Sequence, residues 1–253
     1  MYNIIISVAI AVVTFLILNL AVGLAWWISL IIGLILGLGA FALLSRYFMK
    51  KVEAIMTSAM KDLQTQRVAT SKEMQQKMVD KAIREMQPAL QYGKWQVYVT
   101  GQVNSAIGML YYIKRDFSSA FPYLQKGFFK NWVTMGMLAI TYMKRNKRDK
   151  MKETFEKAVL GSPKESLLWA LYAYCLADGG DVDKAKDALE RGLKKIPGDE
   201  NLIQNLALLK DGKRMKMTGY GEMWLQFHLE NPATIQKQQM AAMGGMRRRV
   251  IRK

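Results

Sequence analysis

The chain has 253 residues, of which 37 are Lys or Arg and 20 are Asp or Glu, so its formal net charge is +17. A single cysteine, Cys175, and a single histidine, His228, exclude an intrachain disulfide, a thiolate zinc site and a histidine-based metal site within one chain. A Ser-His-Asp arrangement would have to use His228, and no Gly-x-Ser-x-Gly motif is present. We therefore expect no enzymatic activity, no cofactor and no metal, and structural roles for both residues.

The first part of the chain is apolar, and all of the charge follows it. Residues 1–45 contain no Asp, Glu, Lys, Arg or His. As one helix, residues 4–44 would be about 60 Å long, about twice the thickness of a hydrocarbon core. The sequence therefore predicts a hairpin of two transmembrane spans, at about residues 3–21 and 26–45, joined by a very short turn.

Four residues mark the turn of this hairpin. Asn19 and Gly23 loosen the helix there, and Trp26 and Trp27 suit the membrane–water interface. A secretory signal peptide is the alternative interpretation. It would need a positively charged start and a shorter apolar stretch, and this sequence has neither.

The charges beside the second span set its orientation. Arg46, Lys50 and Lys51 follow the span, whereas the predicted turn is uncharged. By the positive-inside rule, we expect a two-span integral membrane protein with its N-terminus and its soluble part in the cytoplasm. One long tilted span would move only the N-terminus to the other side.

Small residues in the second span predict a close helix contact. Gly33 and Gly37 lie four residues apart, a spacing that lets two helices approach closely. Packing against the first span of the same hairpin is favoured over contact with a helix of another protein.

Residues 46–92 are predicted to form a mostly helical juxtamembrane segment that ends near Pro88. Apolar side chains recur along one face, interrupted by Arg67 and Thr70: Met56, Met60, Leu63, Met74, Met78 and Met86. Two roles stay open for this face. It forms a contact in a homo-oligomer, or it lies on the soluble part or on the membrane surface.

The sequence then becomes self-similar, most clearly in residues 166–199. Trp169 and the small Ala173 precede a turn at Gly179–Asp181, a second helical stretch contains Ala185, and Pro197 closes the unit. This pattern resembles the tetratricopeptide repeat (TPR). The resemblance implies that pairs of antiparallel helices pack at close range, with small residues where they touch.

The same template fits twice upstream, at about residues 101–132 and 132–165, and weakly in a degenerate unit at 200–232. In the three better units, 12 residues separate the small residue of the first helix from the second-helix slot: Gly108 and Ala120, Ala139 and Met151, Ala173 and Ala185. In the fourth unit we expect helices near 200–211 and 220–230. The predicted fold is all-α, with residues 93–232 forming a short TPR-like solenoid.

The resemblance also implies a concave face, lined by the first helices, that binds a peptide or a helix. The template puts several side chains on or near this face, and the candidate partner groove is formed by Met109, Tyr112, Ile140, Met143 and Tyr174. The family's charged clamp for a C-terminal carboxylate needs Lys, Arg and Asn there, and the matching slots contain none. We expect an apolar groove that binds a helical segment, either of another protein or of residues 46–92 of this chain.

Basic residues cluster at two places. Lys144, Arg145, Lys147 and Arg148 crowd the turn of the second unit, and the predicted flexible tail, 233–253, contains Arg247, Arg248 and Arg249. These clusters suit anionic lipid, an acidic protein partner, or a solvated surface. Nucleic acid is not expected, because no recognised motif appears and aromatic residues are not interleaved with the basic runs.

The sequence thus favours a membrane-anchored scaffold or adaptor that mediates protein–protein interaction or complex assembly at the cytoplasmic face of a membrane. The alternative is a structural or accessory subunit of a multi-protein membrane complex.

Overall fold

A computed structural model describes residues 1–65 and 72–230, in which every regular element is a helix. The chain divides into two compact units, residues 1–128 and 129–253. The elements of the first unit are α1 (Tyr2–Leu16) with a π-helical extension (Ile17–Ala21), α2 (Trp26–Thr65), α3 (Lys72–Met86), a 3-10 helix (Gln87–Lys94), α4 (Val99–Ile113) and α5 (Phe117–Gln125). Those of the second unit are α6 (Trp132–Lys144), α7 (Arg148–Gly161), α8 (Ser166–Asp178), α9 (Val182–Lys195), α10 (Glu200–Lys210), a 3-10 helix (Thr218–Tyr220) and α11 (Glu222–Leu225).

The hairpin of α1 and α2 packs through the two predicted glycines. A Cβ on Gly37 would lie 2.7 Å from the Ala11 Cβ, and a Cβ on Gly33 would lie 2.7 Å from the Ala11 carbonyl oxygen. Any larger side chain would separate the helices. The small residues therefore serve contact within the hairpin, as the sequence favoured.

The turn of the hairpin lies where the sequence places it. Gly23 adopts a φ of +72°, and the Asn19 side chain donates a hydrogen bond to the Leu24 carbonyl at 3.3 Å. The stretches Tyr2–Ala21 and Trp26–Lys61 are both long and apolar enough to cross a membrane. These two apolar helices fit a membrane anchor.

The boundary expected between the second span and a separate juxtamembrane helix does not exist in the backbone. α2 continues through it to Thr65 as one helix of 40 residues, about 60 Å long at 1.5 Å per residue. The physical reason is plain in the sequence: no glycine or proline occurs between Gly39 and Thr65. Arg67 and Thr70, which interrupt the methionine stripe, lie outside the described residues.

The second half of α2 packs on the first repeat. Val52 and Ala59 of α2, Ile83 of α3, and Val103 and Ile107 of α4 form one buried cluster. Within this unit the juxtamembrane helices lie on the soluble part, which was one of the two roles left open for their apolar face.

A polar contact ties the start of the hairpin to the 3-10 segment. The buried Asn3 side chain donates hydrogen bonds to Ser45 Oγ at 2.8 Å and to Gln96 Oε1 at 3.0 Å. Beside it, the rings of Phe48 and Trp95 stack with centroids 4.6 Å apart. The first unit therefore couples the hairpin directly to the helices that follow it.

The helix pairs of the repeats meet at the small residues of the template. A Cβ on Gly192 of α9 would lie 2.8 Å from Trp169 Cγ of α8, and in the first unit a Cβ on Gly108 would lie 2.9 Å from Leu124 Cδ2. Glu156 of α7 links α8 and α9, since it accepts hydrogen bonds from Tyr172 at 3.0 Å and from Arg191 at 2.6 and 2.8 Å.

The fourth repeat, predicted at residues 200–232, differs from the prediction. After α10 the sequence predicts a second helix near 220–230, whereas the structure has only a 3-10 turn and the four-residue α11. Gly221 has φ +56° with ψ −138°, and His228 has φ +52°, so neither position is helical. These residues instead belong to a stretch that folds back on the repeats, residues 211–230, which we call the C-terminal segment.

Candidate ligand-binding groove

The predicted groove residues are found on the first helices of three repeats. Met109 and Tyr112 belong to α4 in the first unit, where Met109 is partly buried. Tyr112 is fully buried, and its ring lies edge-on to Phe117 with centroids 5.0 Å apart. Tyr112 is therefore a packing residue that no ligand reaches without rearrangement.

In the second unit, the groove residues lie on α6 and α8. Ile140 of α6 is fully buried, and Met143 and Tyr174 are partly buried. Both helices are covered over most of their circumference, because Thr134–Thr141 and Leu167–Ala173 are continuous runs of buried residues. A helix that is buried all round needs packing partners on every side, so the groove side of α6 and α8 is covered too.

The C-terminal segment supplies that cover. Trp224 lies edge-on to Tyr174 with ring centroids 4.8 Å apart, and Phe227 lies 6.3 Å from the ring of Trp132. Phe227 Cε1 would be only 3.2 Å from a Cβ on Gly136, which is one turn before Ile140 on the same face of α6. Trp224 is 1% exposed and Phe227 is 0% exposed. The segment thus lies on the α6–α8 face as a peptide ligand would.

Polar contacts hold the beginning of the segment. The backbone N–H of Lys216 donates to Asn205 Oδ1 of α10 at 2.7 Å, and the hydroxyls of Tyr220 and Ser166 are hydrogen-bonded at 2.9 Å. Burial raises the pKa of Tyr220 to about 12, an effect that the bond to Ser166 partly opposes. Burial likewise raises the pKa of Tyr174.

The expectation of an open apolar groove is therefore wrong for α6 and α8. The face is apolar, and within this unit Trp224 and Phe227 cover it. The sequence offered one signal that could have indicated this: Tyr220, Trp224 and Phe227 recur at steps of four and three residues. The repeat template predicts a helix for these residues, whereas the glycines at 219 and 221 weaken a helix there.

A cavity lies beside the Tyr174–Trp224 contact. It has a volume of about 450 Å³. Its walls come from α8, α10 and the C-terminal segment, and its lining includes Tyr174, Asp178, Leu209, Arg214, Met217 and Glu230. Acidic, basic and apolar side chains therefore all line this cavity.

The basic cluster lies at the α6–α7 turn. Lys144, Arg145, Lys147 and Arg148 are all exposed, and Arg148 donates a hydrogen bond to the Gly179 carbonyl at 2.8 Å. Nearby, Lys152 pairs with Asp181 at 2.6 Å and holds the pKa of that carboxyl below its ordinary value. Arg247, Arg248 and Arg249 lie outside the described residues.

The remaining chemistry-bearing side chains have packing roles. Cys175 is buried in α8, and burial raises the pKa of its thiol. The Arg191 guanidinium holds the pKa of Glu156 below its ordinary value. Within residues 1–65 and 72–230, no group of three or more His, Cys, Asp or Glu side chains is arranged to hold a metal ion.

Two family models match the second unit. A tetratricopeptide repeat model matches residues 134–164, which span α6 and α7, and a second tetratricopeptide repeat model matches residues 166–209, from α8 to α10. These two stretches of the chain therefore contain tetratricopeptide repeats. TPR arrays generally mediate protein–protein interaction. No curated protein matches this TPR chain.

Proposed function

We propose that this TPR protein is a membrane-anchored scaffold that recruits a protein partner to the cytoplasmic face of a membrane. One observation carries the proposal: the face formed by α6 and α8 holds a short, largely irregular peptide by its aromatic side chains. A surface that accepts Trp224 and Phe227 of its own chain has the shape and chemistry to accept an apolar segment of another protein.

The anchor is supported by what α1 and α2 expose. A core helix of a soluble protein buries most of its apolar side chains, whereas here large ones such as Ile5, Leu20, Leu34 and Leu43 are exposed. A continuous apolar surface of this size is stable in lipid and not in water. Two successive apolar helices argue against a cleaved signal peptide, which has a single, shorter apolar region.

The cytoplasmic orientation follows from charge. Arg46, Lys50 and Lys51 adjoin the second span, and the hairpin turn has no charge. The exposed basic cluster at the α6–α7 turn suits anionic lipid or an acidic partner, each by electrostatic attraction that falls with salt.

Affinity capture from native membranes tests the scaffold function. Tyr174→Glu would place a charge in the groove, and Leu160→Glu, on the exposed outer side of α7, is the matched control. We expect the first variant to lose the partner proteins that wild type retains, and the second to keep them. A folded Tyr174→Glu variant that keeps every partner would show that the groove does not bind these proteins.

Labelling from either side of sealed membrane vesicles tests the orientation. A cysteine introduced at Lys126, on the first repeat, should react only from the cytoplasmic side, and a cysteine at Gly23, in the hairpin turn, only from the other side. Charge reversal at Lys144, Arg145, Lys147 and Arg148 tests the basic cluster through binding to anionic vesicles.

The second candidate function is a subunit of a larger membrane complex. A groove of about 280 Å³ lies between α1 and α2, and its lining includes Ser7, Ala11, Leu34, Leu38 and Phe41. The buried Ser7 hydroxyl has no hydrogen-bond partner among the described residues. Side chains of a transmembrane helix of another subunit would fit into this groove. Under this function, partners would be lost when the hairpin is deleted and kept in Tyr174→Glu.

A further inference from the structure

We propose that the C-terminal segment is an intramolecular ligand of the α6–α8 face, and that a partner displaces it with an apolar peptide that has a tryptophan and a second aromatic residue three positions later. This inference rests on the proposed function, in which that face is the binding surface, and it adds the chemistry of the partner and the step that precedes its binding.

The positions on α6 and α8 that contact Trp224 and Phe227 define the chemistry of the peptide. The rings of Tyr174 and Trp224 are nearly perpendicular, with centroids 4.8 Å apart, and Trp132 and Gly136 form a recess for the Phe227 ring. Aromatic pairs in this geometry gain more than the burial of their area. Gly136 matters because any Cβ there would meet Phe227 at 3.2 Å, so the recess is shaped for a ring.

The aromatic end of the segment makes contacts that another peptide could replace. The indole N–H of Trp224 donates to Glu230 of the segment itself at 2.7 Å, and not to a repeat helix. What holds Trp224 on Tyr174 is therefore a ring contact, and any tryptophan that brings its own acceptor satisfies the same site.

The C-terminal segment also has little regular structure and an exposed connection to α10, and both favour its detachment. Its regular structure is one 3-10 turn and the four-residue α11, so it has little cooperative backbone structure to lose. Its connection to α10 contains Gly212 at φ +69° between the exposed Asp211 and Lys213. The 450 Å³ cavity, lined by Tyr174 and by Gly212 of the connection, gives an incoming side chain a point of entry.

The repeats keep their own contacts without the segment. The close approach of Gly192 to Trp169 and the bonds of Glu156 to Tyr172 and Arg191 lie within α7, α8 and α9. Displacing the segment therefore leaves these contacts in place and uncovers the apolar α6–α8 face, which the incoming peptide covers in turn.

Cleavage of the connection tests the proposal on the full-length chain in nanodiscs. A protease recognition sequence inserted at Gly212 lets the chain fold with the segment in place and then frees it. The probe is a fluorescent peptide of residues 213–230, and the readout is fluorescence anisotropy at high dilution. We expect the cleaved chain to bind the probe at least tenfold more tightly than the uncleaved chain. Equal binding before and after cleavage, or no binding to either, would overturn the proposal.

Two altered probes test the aromatic requirement. Replacing both Trp224 and Phe227 by leucine keeps the apolar bulk, and we expect at least tenfold weaker binding. Replacing the exposed Met223 by alanine is the matched control, and this probe should bind as the parent does. A leucine probe that binds as well as the parent would overturn the aromatic specificity. A chain that ends at Asp211, with helical content checked by circular dichroism, provides an independent receptor without a competing segment.

The outcomes separate this inference from the proposed function. If partner capture depends on Tyr174 but the probe does not bind, the intramolecular-ligand proposal is wrong and the scaffold function still holds. If the probe binds but no partner protein depends on Tyr174 for capture, the scaffold function is wrong and the intramolecular-ligand proposal still holds. A full-length chain that is a dimer by light scattering, and becomes monomeric on cleavage, would place the segment in a second copy and overturn the intramolecular contact.

Discussion

The rings of Tyr174 and Trp224 meet edge to face, 4.8 Å apart, and this contact joins the third repeat to residues that follow the last repeat helix. It places a tryptophan of the same chain at a position where the family resemblance implies a ligand. The consequences can be measured separately for the segment, for the repeats and for the hairpin.

Trp224→Ala is predicted to release the C-terminal segment. Truncating a buried aromatic side chain costs about 3–5 kcal/mol, and that loss falls on the docking of the segment because the repeat helices keep their own contacts. Hydrogen–deuterium exchange should therefore speed up in residues 217–230 and in the groove side of α8, with helical content retained. Met223→Ala, at an exposed neighbour, should leave exchange unchanged. Exchange at wild-type rates in Trp224→Ala would contradict the assigned contact.

The docking of the segment is predicted to weaken at high pH. The pKa of Tyr220 is raised to about 12 in the docked state, against its ordinary value of 10.0. A group whose pKa is raised by burial contributes fully below its free value, so the contribution is complete below about pH 10 and is lost as the pH rises toward 12. Tyr220→Phe cannot ionise and should lack this part of the pH dependence, measured as the difference between wild-type and variant tryptophan fluorescence. Identical titrations of the two proteins would contradict a role for Tyr220. The other groups that ionise in this range, Tyr174 and the lysines, are present in both proteins.

Gly192→Ala is predicted to destabilise the third repeat by about 1–3 kcal/mol, because the new methyl group would lie 2.8 Å from Trp169 Cγ. Gly161→Ala is the matched control on α7, since its nearest neighbour outside its own helix would be at 3.7 Å. The Gly161→Ala substitution should be neutral or should stabilise the protein by up to about 1 kcal/mol. Thermal unfolding followed by circular dichroism measures both, and equal effects would show that the α8–α9 contact is not close.

These contacts also show what the sequence could predict. The pairing of Gly192 with Trp169 and of Gly108 with Leu124 follows from a repeat template in which small residues alternate with large ones, and that pattern is local. The hairpin turn at Gly23 was equally predictable, because a long apolar stretch must break where Asn and Gly weaken the helix.

The occupied groove could not be predicted in the same way. Trp224 reaches Tyr174 across 50 positions of sequence, and no periodicity indicates which distant face an irregular aromatic segment will cover. The continuity of α2 through Ser45 was missed for a different reason. A change from apolar to charged residues marks a change of solvent, whereas the backbone ends a helix only at a breaker or a cap.

Gly37→Leu is predicted to separate α1 and α2. Its side chain would meet the Ala11 Cβ at 2.7 Å and the Ser7 carbonyl oxygen at 3.0 Å, whereas Gly39 has open space around it. Gly37→Leu should cost about 1–3 kcal/mol of hairpin stability in bicelles, and Gly39→Leu should cost little. Unfolding by SDS, followed by the fluorescence of Trp26 and Trp27, compares them. A Gly39→Leu effect as large as that of Gly37→Leu would contradict the assigned helix faces.

Photocrosslinking from the groove in native membranes tests whether the α6–α8 face recruits the partner. Benzoylphenylalanine in place of Tyr174 keeps a ring at the position that contacts Trp224, and the same residue at Leu160 on the outer side of α7 is the control. We expect the Tyr174 position to crosslink to residues 217–230 of its own chain before the connection at Gly212 is cut. After cleavage, we expect it to crosslink to an aromatic-containing segment of a second protein. Crosslinks that stay within the chain after cleavage, or a second protein captured equally from Leu160, would contradict a scaffold that recruits its partner through this groove.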